Sequence, residues 1–294
     1  MAAMLATLRL AGVSDRAPGD PRGVLSRPAE GPDIVLRWAD HGDGLADVYL
    51  PPAPAGSPPA PLLYALHGGF WRQLYDRRQL RPLAQDLSQR GWVVVLPEYA
   101  RSGGPRSAGP PHTAPWPLLA ADLRTMRRRV PRLLAEAAPG RVAGGGPVVL
   151  GHSAGGQLAL WWALDATDDA DPGHPRHVLA LAPVADLARG AAERLDGDAV
   201  AALLGGGPEA PEHMADADVA ARLRAGERTA GCPTVVLHGD DDLQVPVAHS
   251  TDLAADVCHL DVRALPGAEH FALIDPLSPT WPTVLAALTP GTVQ

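Results

Sequence analysis

Lysine and asparagine are absent from this 294-residue sequence, and cysteine and phenylalanine occur only twice each. Arginine therefore carries the fixed positive charge. Beside the heavy use of alanine, glycine and proline, this bias reads as GC-rich coding rather than as an adaptation. Cys232 and Cys258 belong to no CxxC or Cys/His ligand pattern, so no metal site is expected. Two reduced, buried thiols are the expectation, with a bridge between them left open. No stretch approaches the roughly 18 unbroken apolar residues of a membrane span. The opening MAAMLATLRLAGVSDR lacks a basic n-region, and Arg9 interrupts its apolar run too early for a signal peptide. Net charge is −8 with acids and bases interspersed, which argues against nucleic-acid or anionic-membrane partners. These absences leave a cytoplasmic protein with a small-molecule partner and no cofactor; the oligomeric state stays open.

What is present is an alternation. Residues 1–33 are expected as a flexible N-terminal arm, because 14–33 are rich in Pro, Gly and Asp. IVLRWA (34–39) and ADVYLP (46–51) read as a hairpin around HGDG (41–44), and PPAPAGSPPAP (51–61) as an extended loop. Short, fully apolar runs then end in glycine or polar residues: PLLYALHGG (61–69), WVVVLPEY (92–99), PVVLGHS (147–153), HVLALAPV (177–184) and PTVVLHG (233–239). Helical patterns separate them at 77–91, 116–137, 154–166 and 247–257, and Pro131 is expected to kink or split the second. VRALPG (262–267) is strand-like, and 278–288 is a last helix. Strands alternating with amphipathic helices predict an α/β fold with a mostly parallel sheet and helices on both faces. Ligands in such sheets bind at the carboxyl ends of the strands. Residues 185–231 break the rhythm, with two alanine-rich helical patches and the turn GGGPEAPEH (205–213). A segment this long between sheet strands is expected to be a cap inside one domain spanning 34–294.

The chemistry concentrates in GHSAG (151–155), a G-x-S-x-G that follows one predicted strand and opens a predicted helix. So tight a turn strains the serine backbone and leaves no room for side chains at the flanking glycines, so the Ser153 hydroxyl is expected to stand free as a nucleophile. A serine needs a base, and the base an orienting acid, expected after such a strand-to-helix turn in the chain order Ser, then Asp or Glu, then His. His270 follows the last strand in LPGAEHF (265–271); His213, His249 and His259 compete on order but lie in the insertion or in helical patterns. HGDDDLQVP (238–246) offers Asp240, Asp241 and Asp242, and the residues alone do not choose among them. A tetrahedral oxyanion needs N–H donors. Ala154 is one; HGGFW (67–71) supplies the other through Gly69 or Phe70, with Gly68 also letting the backbone approach the substrate. Phe70 and Trp71 are candidates for a pocket lining, His152 for a substrate contact, and Trp116, Trp161 and Trp162 for core packing.

HGGFW, GHSAG, HGDDDLQVP and GAEHF together resemble the α/β-hydrolase superfamily over roughly residues 60–290. His-Gly-Gly-x-Trp, the Glu98-Tyr99 pair and HFALIDP (270–276) resemble more narrowly the kynurenine formamidases and their bacterial esterase-like relatives. The chain departs from them around Tyr99-Ala100-Arg101. The resemblance places the acid of H-G-x-x-D-x-x-V-P on Asp242, the nucleophile on Ser153 and the base on His270. It implies hydrolysis of a small ester or aryl formamide through an acyl-enzyme. A peptidase or acyltransferase on the same triad, or a non-catalytic scaffold, are the alternatives.

Overall fold

The computed structural model describes residues 20–54, 56–103, 115–166, 173–205, 210–229 and 231–288. Its spine is an eight-stranded sheet in the order β1-β2-β4-β3-β5-β6-β7-β8. The strands are β1 (Ile34–Arg37), β2 (Leu45–Tyr49), β3 (Leu62–Leu66), β4 (Val93–Pro97), β5 (Val148–His152), β6 (His177–Leu181), β7 (Thr234–Gly239) and β8 (Asp261–Leu265). β1 and β2 pair antiparallel, β2 joins β4 antiparallel, and every later pairing from β4 to β8 is parallel. The apolar runs explain this: β3, β4, β5 and β6 are buried at every position, so both faces must be covered.

Alternation along each strand divides the core. Leu63, Ala65, Val94 and Leu96 pack with Leu83 and Leu87 of α1 (Arg81–Gln89) and with Trp281 and Val284 of α9 (Trp281–Ala287). Tyr64, Leu66, Val93 and Val95 point to the other face, under α2 (Trp116–Ala137) and α3 (Ala154–Asp165). Trp116, Trp161 and Trp162 sit in that second layer, as expected, the first two edge to face at 5.4 Å. α2 is not split at Pro131, which lies inside one continuous helix. A proline there removes one backbone hydrogen bond, and the apolar stripe from Leu119 through Val130 to Leu134 holds the helix against the sheet.

Between β6 and β7 the insertion folds into α4 (Leu187–Ala192), α5 (Ala199–Leu204), α6 (Ala210–Ala217) and α7 (Val219–Arg224), where the sequence suggested two helical patches. Residues 206–209 of the expected turn lie outside the described residues. α8 (Ala248–Asp256) connects β7 to β8. Residues 1–19 of the expected arm also lie outside the described residues, but residues 20–33 are not loose. They hold a 3-10 helix, Pro21–Ser26, with Val24 buried, and Arg27 pairs with Asp275. Cys232 is buried and Cys258 exposed, and both are free, so the expectation of two buried thiols fails for Cys258.

β3 runs between β4 on one side and β5 on the other, so the order of connections reverses at the β3–β5 boundary. That is where the crevice of an open parallel sheet forms. The segments leaving β3 and β5 are HGGFW and GHSAG.

Candidate active site

Ser153 leaves β5 with φ 57° and ψ −120°, and α3 begins at the next residue. A side-chain-bearing residue in this region stores about 1–3 kcal/mol of strain. The surroundings impose it: Ser153 N–H donates to Leu181 O at 2.8 Å, and the Ser153 carbonyl accepts from Gly156 at 2.9 Å and Gln157 at 3.2 Å. Two of the flanking glycines are sterically required. A Cβ on Gly151 would lie 2.0 Å from the Gly155 carbonyl oxygen, and one on Gly155 would lie 2.1 Å from that of Leu66. The serine does not stand free, as its sequence suggested. It is 2% exposed and lines a small cavity with His270, Gly69 and Phe70.

His270 opens a short 3-10 helix after β8, and its Nδ1 lies 2.5 Å from Asp242 Oδ2. The geometry separates the three aspartates. Asp242 is buried; its other oxygen accepts the N–H groups of Gln244 and Val245, both at 2.8 Å. Asp240 instead ties the β7 and β8 loops together by accepting the Gly267 N–H at 2.7 Å, and Asp241 is exposed. Burial alone would raise the Asp242 carboxyl. The hydrogen bonds of His238 and His270, the His270 charge and the Val245 N–H outweigh that and hold it well below the usual carboxylate range. Asp242 is therefore an anion facing one nitrogen of His270, which leaves the other nitrogen as acceptor. No hydrogen bond joins Ser153 Oγ to His270 among the described residues; such bonds are often long before substrate arrives.

HGGFW turns back sharply after β3. Gly69, Phe70 and Trp71 all have positive φ, at 107°, 49° and 55°. Gly68 packs so close that a Cβ would meet Ser153 Cβ at 2.9 Å, and one on Gly69 would meet Tyr75 Cβ at 2.4 Å. Beneath the loop, His67 Nε2 lies 2.6 Å from Glu98 Oε1, both buried, and His67 Nδ1 lies 2.7 Å from Gly68 O. Ala154 is buried at the start of α3, beside Ser153.

Two expected pocket residues have other positions. Trp71 is wholly buried in the core, with Nε1 donating to Gln157 Oε1 at 3.2 Å, and does not line the cavity; Phe70 does. His152 lines the cavity but also braces the site: its Nε2–H donates to the His270 carbonyl at 3.0 Å, with ring centroids 4.5 Å apart. Burial, then the neighbouring His270 charge, pushes the His152 ring down to about 3, so it is neutral near pH 7. The competing histidines are elsewhere: His249 pairs with Glu193, and His213 bonds Leu204 O.

Sequence reasoning missed several members. His238 bonds Ser250 Oγ at 2.7 Å and Val245 O at 2.9 Å, and stands 3.4 Å from Asp242 Oδ2. Tyr75, Gln79, Gln244, Phe271 and the insertion residue Asp196 complete the cavity wall. Arg72, one residue past HGGFW, holds Asp196 by Nε to Oδ2 at 2.6 Å and Nη2 to its carbonyl at 2.5 Å. His238 was visible as the first residue of HGDDDLQVP; the others carried no local signal. Among the described residues no group of three His, Cys, Asp or Glu is disposed to hold a metal ion, and no helix is long and apolar enough to cross a membrane.

The sheet order and the meeting of the β3, β5, β7 and β8 loops are those of the α/β-hydrolase fold. The chain belongs to the BD-FAE family, which matches residues 46–257. It is 30% identical over 131 residues to Esterase LipQ of Mycobacterium tuberculosis (strain H37Rv), a match covering 44% of this chain but only 28% of LipQ. Among solved structures, Esterase B from Lactobacillus rhamnosis (HN001) superposes with a TM-score of 0.66 at 18% identity, covering 90% of this chain and 86% of that one. Esterase 2 of Thermogutta terrifontis, phosphonylated by sarin, superposes with a TM-score of 0.60 at 20% identity, covering 89% and 93%. These two likenesses concern the fold.

Proposed function

We propose that this chain is a serine-dependent carboxylic ester hydrolase working through an acyl-enzyme. The observation that carries the reading is the 2.5 Å contact between His270 Nδ1 and buried Asp242, with His270 and the left-handed Ser153 lining one cavity. Asp242 keeps the imidazole in the tautomer whose Nε2 accepts a proton, and stabilises the imidazolium once it forms. Ser153 Oγ attacks the substrate carbonyl carbon while His270 takes the hydroxyl proton. The oxyanion that results is met by the N–H of Ala154, reinforced by the N-terminus of α3, and by the N–H of Gly69 or Phe70. His270 returns its proton to the departing alcohol. Water then repeats the cycle and frees the acid.

An ester comes first as substrate because LipQ carries an esterase name. The aryl formamide rests on HGGFW alone. We read the insertion 185–231 as the cap, since its Asp196 borders Ser153's cavity. Comparing kcat/KM for p-nitrophenyl acetate and N-formylkynurenine, with Ser153→Ala as blank, tests both levels. Ser153-dependent turnover of the acetate supports the ester hydrolase. A formamide rate higher by orders of magnitude moves the substrate to the formamide, and turnover of neither contradicts the proposal.

A further inference from the structure

Two cavities meet at His270. One, of about 50 Å³, contains Ser153, Gly69 and Phe70, with Tyr75 and Asp196 in its wall. The other, of about 450 Å³, is walled by Arg22, Asp240, Asp241, Leu243, Glu269 and Phe271. Gln244, His270 and Phe271 belong to both, whereas no residue of HGGFW borders the larger one.

The proposed reaction gives these spaces different roles. The carbonyl oxygen must point at the N–H groups of HGGFW and Ala154. The leaving oxygen must lie by His270, because that ring returns the proton to it. The alcohol portion therefore departs toward the loops that carry His270 and Asp242, and these build the larger cavity. The acyl portion stays in the small cavity with Ser153.

The larger wall has a chemical character as well as a size. Asp240, Asp241, Glu269 and Arg22 line the cavity, three carboxylates to one guanidinium, with Asp240 also accepting the Gly267 N–H. Burial first, then the charges of Asp20, Asp241 and Asp242, raises the Glu269 carboxyl above its ordinary value. Phe271 adds an aromatic ring, held at right angles to the His270 ring with centroids 5.1 Å apart. A ring among carboxylates is the combination that binds an ammonium group, and Leu243, 92% exposed, extends an apolar surface beside it.

We propose that the larger cavity is the leaving-group subsite, and that it selects short-chain acyl esters of bulky, positively charged alcohols or phenols. This rests on the ester-hydrolase reading. The experiment measures kcat/KM for 3-(trimethylammonio)phenyl acetate and 3-carboxyphenyl acetate in the wild type, Asp241→Asn, and the Asp241→Asn/Glu269→Gln double variant. Dividing the cation-to-anion ratio of a variant by that of the wild type cancels the intrinsic reactivity of the two phenols. The quotient should fall about tenfold in the double variant and about threefold in exposed Asp241→Asn, which has no buried contact to lose. Raising salt from about 0.02 to 0.5 M should lower the wild-type ratio in the same sense. A ratio unmoved by both substitutions and by salt overturns the subsite, as does faster turnover of p-nitrophenyl octanoate than of the acetate. If that happens while a fluorophosphonate still labels Ser153, the hydrolase reading stands alone. If folded wild type neither turns over nor labels, both fall together.

Discussion

His152 Nε2 donates to the carbonyl of His270 at 3.0 Å across 118 residues of chain, so the residue before Ser153 holds the residue that would deprotonate it. The same hydrogen bond couples the β5 elbow to the β8 loop.

That contact gives stability a pH dependence. Folded His152 has its ring pushed down to about 3 from an ordinary 6.5. Between those values the unfolded chain binds a proton there that the folded chain does not, so stability falls as pH drops below 6.5. The local slope is about 1.4 kcal/mol per pH unit at most. Asp242 acts in the same sense at lower pH, because its folded carboxyl is depressed; its contribution is lost below the ordinary carboxylate range. Urea midpoints at pH 7.5 and 5 should differ clearly in the wild type and less in His152→Gln, which keeps a donor for the His270 carbonyl but cannot titrate. An equal loss in both proteins would contradict the assignment to His152.

The three consecutive aspartates should separate sharply. Asp242→Asn removes the anion from His270 and should lower kcat by about 10^3- to 10^4-fold. Asp240→Asn keeps an oxygen for the Gly267 N–H and should cost less than about tenfold. Steady-state kinetics on p-nitrophenyl acetate decides this, and comparable losses in the two folded variants would refute the geometry.

Gly69→Ala puts a methyl 2.4 Å from Tyr75 Cβ on a backbone with φ of 107°. The HGGFW turn has to move, taking the N–H groups proposed as donors away from the oxyanion. We expect kcat to fall by about 10^2- to 10^3-fold with little change in KM. A variant with unchanged kcat would show that these donors are not used.

Arg72 and Asp196 tie the insertion to the same turn, each side chain being partly exposed at 32% and 43%. The pair should couple by only about 0.5 kcal/mol in a double-mutant cycle on KM with Arg72→Gln and Asp196→Asn. Its loss should speed hydrogen exchange in residues 194–198, where Arg194, Asp196 and Asp198 all have positive φ. Unchanged exchange there would show that the insertion is held by its apolar contacts instead.

Much of this arrangement could be read from the chain because it is local. A strand, a glycine, a serine and a helix are consecutive, and steric exclusion at Gly151 and Gly155 leaves few other uses for such a turn. The alternation of buried strands and amphipathic helices carried the parallel sheet in the same way. What the residues alone left open or misplaced depends on positions far apart. Phe70 and Trp71 are adjacent aromatics, yet one lines the cavity and the other enters the core to meet Gln157, 86 positions away. The choice among Asp240, Asp241 and Asp242 depends on where the β8 loop crosses the β7 loop, with Gly239 pressed under Ala268. Asp196 reaches the site through helices whose order in space no periodicity reveals. The segment 20–33, polar and proline-rich, docks through Val24, the Arg27–Asp275 ion pair and hydrogen bonds at Glu30 and Asp33, none of which leaves a periodic pattern.

The most direct test of the account compares wild type with Ser153→Ala, by fluorophosphonate labelling and by kcat/KM on p-nitrophenyl acetate, after circular dichroism has confirmed that both are folded. One label per wild-type chain is expected, with none on the variant and a fall in turnover of about 10^4-fold or more. A folded Ser153→Ala protein that labels, or that hydrolyses the ester at the wild-type rate, would contradict the account.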